Sequence, residues 1–143
     1  MSQFTKYFVF LLCASSTLAM FDESTLSDDM KKMFKILHDI CVNQSGASEA
    51  LINKLKIAEF PEGDKNIKCY VKCLLVQTGA MDLQGNVDVE AAMDAIPDAL
   101  KDGIRVGAQH CVAKFDHVTD HCQKAYLLVQ CLYEVDAEAY MMV

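Results

Sequence analysis

The cysteines are the side chains best placed to do covalent chemistry in this 143-residue sequence, and there are seven of them. Cys13 lies within an N-terminal apolar run, Tyr7 to Ala14. The others, Cys41, Cys69, Cys73, Cys111, Cys122 and Cys131, are separated by gaps of 27, 3, 37, 10 and 8 residues. An even set of this kind reads as disulfides in an exported chain and as metal or thiol chemistry in a reducing compartment. The first twenty residues decide between the two. Lys6 is a weak basic start, the apolar run follows, and Ser15 to Ala19 is a stretch rich in small residues. That order marks a secretory signal peptide over residues 1–20, cleaved after Ala19 or Met20. The run falls short of the about 20 apolar residues that span a bilayer, and no later segment is longer. Cys13 then leaves with the signal peptide, and the remaining six are expected to form three disulfides. Six cysteines allow 15 pairings. Cys69 and Cys73 are one helical turn apart, where Cβ atoms lie about 5–6 Å from each other and a disulfide wants about 3.5–4.5 Å. Setting that pair aside still leaves several connectivities open.

The histidines offer less. His38-Asp39-Ile40-Cys41 matches half of the secreted phospholipase A2 motif, in which a helical His is the general base and the following Asp binds calcium. The two cysteines that precede the His in that motif are here replaced by Phe34 and Lys35, and no Gly-rich calcium loop comes before the helix. Without a metal to polarise an ester, His38 has nothing to act on, and it reads as a half-exposed helix-surface residue. His110, Cys111, His117, His121 and Cys122 would make a metal cluster only if the cysteines were thiolates, which an oxidising route disfavours. Asp82 to Asp88 has its Gly at the fourth position rather than the sixth and no Glu at the twelfth, so it reads as a turn, not a calcium loop. No catalytic residue, metal site or cofactor is expected. Asn43-Gln44-Ser45 is a glycosylation sequon, expected to be unoccupied beside Cys41.

The elements that must position these residues read as helices throughout. Ser27-Asp28-Asp29 opens the first, which carries Met30, Met33, Phe34, Leu37, Ile40 and Cys41 at helical spacing to about Asn43, where Gly46 breaks it. A short second helix runs from about Ser48 to Lys56. Asp64 caps a third, with Ile67, Cys69, Tyr70, Cys73, Leu74 and Val76, ended by Gly79. Asp88 caps a fourth through Ile96, Pro97 starts a fifth that reaches Phe115, and Asp120 opens a sixth. The expectation is one all-α, six-helix, disulfide-locked domain over residues 21–143, ending in a short tail. The net charge is −7, and −8 without Lys6. An acidic chain of this kind is poorly suited to nucleic acid or anionic membranes, both of which reward clustered Lys and Arg.

The order and gap lengths of the six cysteines resemble those of the insect odorant-binding proteins, the 3- and 8-residue gaps being the most restrictive. The stretches Phe60-Pro61-Glu62, Lys68 to Leu74 and Gln77 to Asp82 resemble that family too. The resemblance implies the interlocked pairing Cys41–Cys73, Cys69–Cys122 and Cys111–Cys131. It implies a helical domain enclosing an apolar cavity in the usual range of about 300–1,000 Å3. Candidates for its lining are Phe34, Leu37, Leu74, Val76, Met93, Val112, Phe115, Tyr126, Tyr133 and Met141. It further implies a secreted, non-enzymatic carrier of small hydrophobic molecules such as odorants or pheromones, present as a monomer or weak homodimer, that serves olfactory receptors. The family also has members in non-olfactory fluids, which makes a general lipid or hormone carrier the second reading. Only 12 residues follow Cys131, yet Ala139 to Val143 is apolar, so the tail is expected to fold back as a lid. His110, His117 and His121 would make its seating depend on pH if they pack against it.

Overall fold

The structure is a computed structural model that describes residues 23–94 and 96–143, so the signal-peptide reading of residues 1–20 lies outside it. Five of its six helices begin where a short polar side chain precedes an apolar stripe. Ser27, Ser48, Asp64, Asp88 and Asp120 accept the N–H groups of Met30, Leu51, Ile67, Ala91 and Gln123, respectively. Each cap satisfies one of the backbone donors that a helix start leaves without a partner, typically worth about 1 kcal/mol. These caps open α1 (Asp28–Ser45), α2 (Glu49–Lys56), α3 (Lys65–Gln77), α4 (Val89–Met93) and α6 (His121–Val135). The remaining helix, α5 (Asp98–Phe115), starts after Pro97 with no side-chain cap. Short 3-10 turns at Glu23–Thr25 and Ala137–Ala139 flank the set, and the one β-bridge among the described residues pairs Met81 with Val87.

Two boundaries differ from the sequence reading. α4 stops at Met93 instead of reaching Ile96. Pro97 disfavours helical backbone in the residue before it, so α4 cannot run on into α5. Pro97 itself is the N-cap, with extended backbone (ψ 138°), and not the first helical residue. The other ends fall close to the sequence-based positions, and α1 finishes on Gly46 in the left-handed region (φ 69°).

α3 is the central element. Ile67, Tyr70 and Val71 on it are almost wholly buried, and it packs between α1 and α6. Disulfides join Cys41 of α1 to Cys73 of α3, Cys69 of α3 to Cys122 of α6, and Cys111 of α5 to Cys131 of α6, with Cα–Cα distances of 5.5, 4.6 and 5.8 Å. The main core gathers around Cys41, Ile52, Leu55, Tyr70, Ala125 and Cys131, while a smaller group around Met93 and Ile104 ties α4 to α5.

The turn between α3 and α4 is held from inside. The Asp82 carboxylate accepts the N–H groups of Gln84 and Asn86 and the Asn86 side-chain amide. Gly85 has φ 81° and lies under the His121 ring, so a Cβ built there would sit 2.5 Å from His121 Cδ2. Gly85→Ala is therefore expected to lower stability in urea unfolding by about 2 kcal/mol, from left-handed strain and the clash together. Gly46→Ala, at a similar φ but with its nearest neighbour 3.5 Å away, should lose only about 1 kcal/mol. Equal losses would refute the His121 contact.

The hydrogen bonds from Asn86 hold the Asp82 carboxyl below the ordinary carboxylate range. A carboxylate whose folded pKa is depressed stabilises fully above its unfolded value of about 3.9 and loses that contribution as pH falls through the folded value. Stability of an Asp82→Asn variant should thus fall less steeply than that of the parent below about pH 4, as read from chemical denaturation across pH.

Candidate functional site

Four of the helices carry an apolar stripe that turns toward one common space. On α1 it is Met33, Phe34 and Leu37, and on α3 Val71, Leu74 and Leu75, continued by Thr78. On α5 it is Ile104, Ala108, Cys111 and Val112, and on α6 Leu128, Val129 and Leu132. Each set follows the i, i+3, i+4 spacing that puts side chains on one helical face. Val89, Ala92 and Met93 of α4 close one end, and Tyr140 to Val143 of the tail close another. The cavity, partly open to the surface, measures about 180 Å3 and its lining is almost entirely apolar. It is smaller than the sequence-based expectation of about 300–1,000 Å3. Met141, Met142 and Val143 of the tail are among the residues that bound it.

The tail is fastened by main-chain acceptors. Tyr140 donates its hydroxyl to the Leu55 carbonyl at the end of α2, and Tyr70 of α3 donates to a main-chain oxygen of Val143. Burial pushes both phenols well above their ordinary range, so they remain neutral donors. Tyr140 also meets Phe60 and Tyr133 ring to ring, with centroids 5.8 and 5.3 Å apart. The segment beyond α6 is thus a wall of the cavity.

Of the residues singled out from sequence, Phe34, Leu37, Leu74, Met93, Val112 and Met141 stand on this wall. Val76, Phe115, Tyr126 and Tyr133 do not. Tyr126 donates to the Pro61 carbonyl, and its ring stacks edge-on against Phe60 at 5.9 Å. Tyr133 belongs to the same aromatic group, behind the wall and not on it. Val76 and Phe115 pack against the main core. Sequence reasoning missed Val71, Leu75, Ala108, Leu128 and Leu132. The signal was there, since each is three or four residues from another lining residue on its own helix. It also missed Thr78 and Tyr140.

His38 is not the half-exposed surface residue expected from sequence. Its side chain is 19% exposed, with Nδ1 3.0 Å from the Tyr70 hydroxyl and Nε2 2.8 Å from Glu49 Oε1, and it ties α1 to α2 and α3. The adjacent Asp39 pairs with Lys35 at 2.7 Å. These residues border a second, polar cleft of about 380 Å3, lined also by Lys31 and Lys56, which meets the apolar cavity at Phe34 and Val143. His110 and His117 are exposed, and His121 covers Gly85, so none of the three lies on the cavity wall.

Residues 23–135 match the PBP/GOBP family. General odorant-binding protein 72 of Anopheles gambiae is 28% identical over 115 residues, covering 78% of this chain and 93% of its own. Odorant Binding Protein 7 from Anopheles gambiae, solved in complex with an azo compound, superposes with a TM-score of 0.63 at 29% identity, over 78% of this chain and 89% of that one. Apis mellifera odorant binding protein 5 shares the fold, with a TM-score of 0.66 at 23% identity over 82% of this chain and 98% of that one. Six helices, three disulfides in the interlocked order and this match over most of its length place the chain in the PBP/GOBP family of odorant-binding proteins.

Proposed function

We propose that this protein takes up a small, poorly soluble odorant-like molecule in an extracellular fluid, shields it in the cavity and releases it to a receptor system. The observation that carries this reading is the apolar cavity between α1, α3, α5 and α6, lined almost wholly by hydrocarbon and thioether groups. Burying a ligand there recovers the contacts that the lining side chains lack while the space is empty. The relative solved with an azo compound supports a bound organic molecule as the cargo of this architecture. Four methionines on the wall, Met33, Met93, Met141 and Met142, suit a site that adapts to more than one ligand shape, because thioether chains are flexible and polarisable. The act is binding and release, with no bond made or broken. Export through the N-terminal signal peptide and hand-over to an olfactory receptor belong to the same reading.

Filling the cavity tests it. Ala108→Leu enlarges a side chain on the α5 wall, and Ala92→Leu does so from α4. Either variant should weaken displacement of a fluorescent apolar probe at least about tenfold, equivalent to about 1.4 kcal/mol. Phe115→Leu, off the wall, should leave probe affinity unchanged within about twofold. Folded Ala108→Leu and Ala92→Leu variants that both bind as the parent does would move the site elsewhere.

A further inference from the structure

The cavity wall is also where the chain gathers its most oxidisable groups. The sequence has no tryptophan, and Cys41, Cys69, Cys73, Cys111, Cys122 and Cys131 are all joined in disulfides. With no thiol left among the described residues, the thioethers are the side chains that a peroxide attacks first. The methionines of the wall differ in their access to water. Met93 and Met142 are 4% and 8% exposed, and Met141 is half-buried. Met33 is 36% exposed and borders the same space. Its neighbours on the inner face of α1, Phe34 and Leu37, line the cavity and are buried and half-buried, while Ile36 on the outer face is 59% exposed. Met33 therefore stands on the lip of the cavity, where one side chain meets both solvent and the ligand space. It belongs to neither core cluster, whereas Met142 and Met93 each sit in one.

From this we infer that Met33 is an oxidation site through which hydroperoxides lower the affinity of the cavity for apolar ligands. The inference rests on the carrier reading and adds a chemical control to it. In the step, the thioether sulfur attacks one peroxide oxygen and the O–O bond breaks. The proton of the transferred oxygen passes to the leaving oxygen, which departs as water, or as an alcohol from an organic hydroperoxide. Sulfur is oxidised to the sulfoxide and the peroxide is reduced. The product is polar and chiral where the thioether was apolar and adaptable. A ligand seated against the lip then has to strip water from the sulfoxide oxygen or give up its contact with Met33. Because Met33 lies outside the core, the helices and disulfides keep their places. The same oxygen on Met93 or Met142 would be buried, and would cost stability as well as affinity.

Graded hydrogen peroxide treatment of the full mature chain, with its disulfides intact, tests this. Peptide mass mapping is expected to find the sulfoxide at Met33 before Met93, Met141 or Met142. At the dose that converts Met33 alone among these, affinity for a phenylnaphthylamine fluorescence probe should fall about fivefold, with helical circular dichroism and the urea midpoint unchanged. A methionine sulfoxide reductase with a dithiol should restore it. Met33→Leu, judged against its own untreated affinity, should lose nothing at that dose, whereas Met141→Leu should lose as the parent does. An earlier sulfoxide at another methionine of the wall would overturn the inference and leave the carrier reading standing. So would full conversion of Met33 with probe affinity intact, an equal loss in Met33→Leu, or an affinity that stays low once the reductase has removed the sulfoxide. An untreated chain that does not bind the probe would sink the carrier reading and this inference with it.

Discussion

Cys69 and Cys73 stand one turn apart on α3, and that spacing sends them to different helices. α3 is consequently held on one side to α1 and on the other to α6, and α6 in turn holds α5 through Cys131. The four helices that supply most of the cavity lining are the four joined by these bonds. Their apolar stripes can face an incompletely filled space because they are not free to slide together and close it. α2 and α4, which no disulfide touches, have peripheral roles: α2 supplies the Leu55 carbonyl that anchors the tail, and α4 plugs one end.

Magnitudes support that division of labour. At about 24 cal/mol per Å3, an empty 180 Å3 cavity costs about 4 kcal/mol. Each disulfide closes a loop of 20 to 53 residues and on the chain-entropy account stabilises by about 3–4 kcal/mol. One staple is enough to offset the void, and the other two add to the modest core of a chain this size. A fold held by packing alone would be under pressure to fill that space.

The helices were largely legible because their starts are written in short polar residues. Ser27, Ser48, Asp64, Asp88 and Asp120 each precede an apolar periodic segment and each makes its capping bond. The early end of α4 is also written in the sequence, in Pro97, which keeps the residue before it out of helical backbone. The cavity was half legible. Periodicity says which face of a helix is apolar, yet it does not say whether that face meets a neighbour or borders a void. Leu74 and Val76 look alike in the sequence, and only the former faces the space. Tyr126 and Tyr133 were sensible candidates by type, but Phe60 and Tyr140 draw them into an aromatic group behind the wall.

The tail wall lies after Cys131, outside every covalently closed loop of the chain. It is held to the rest of the protein without a covalent bond, by two phenol hydrogen bonds, the ring contacts of Tyr140 and the burial of Tyr140 and Met142 in the main core. No cross-link has to break for such a segment to open locally, so its opening can take less free energy than global unfolding. On the carrier reading, opening of the tail would set ligand residence time while the stapled frame sets thermal stability. Selection could shorten or lengthen the former by altering Tyr70, Tyr140 or the residues between Met141 and Val143, while the stapled frame that sets the latter stayed as it is.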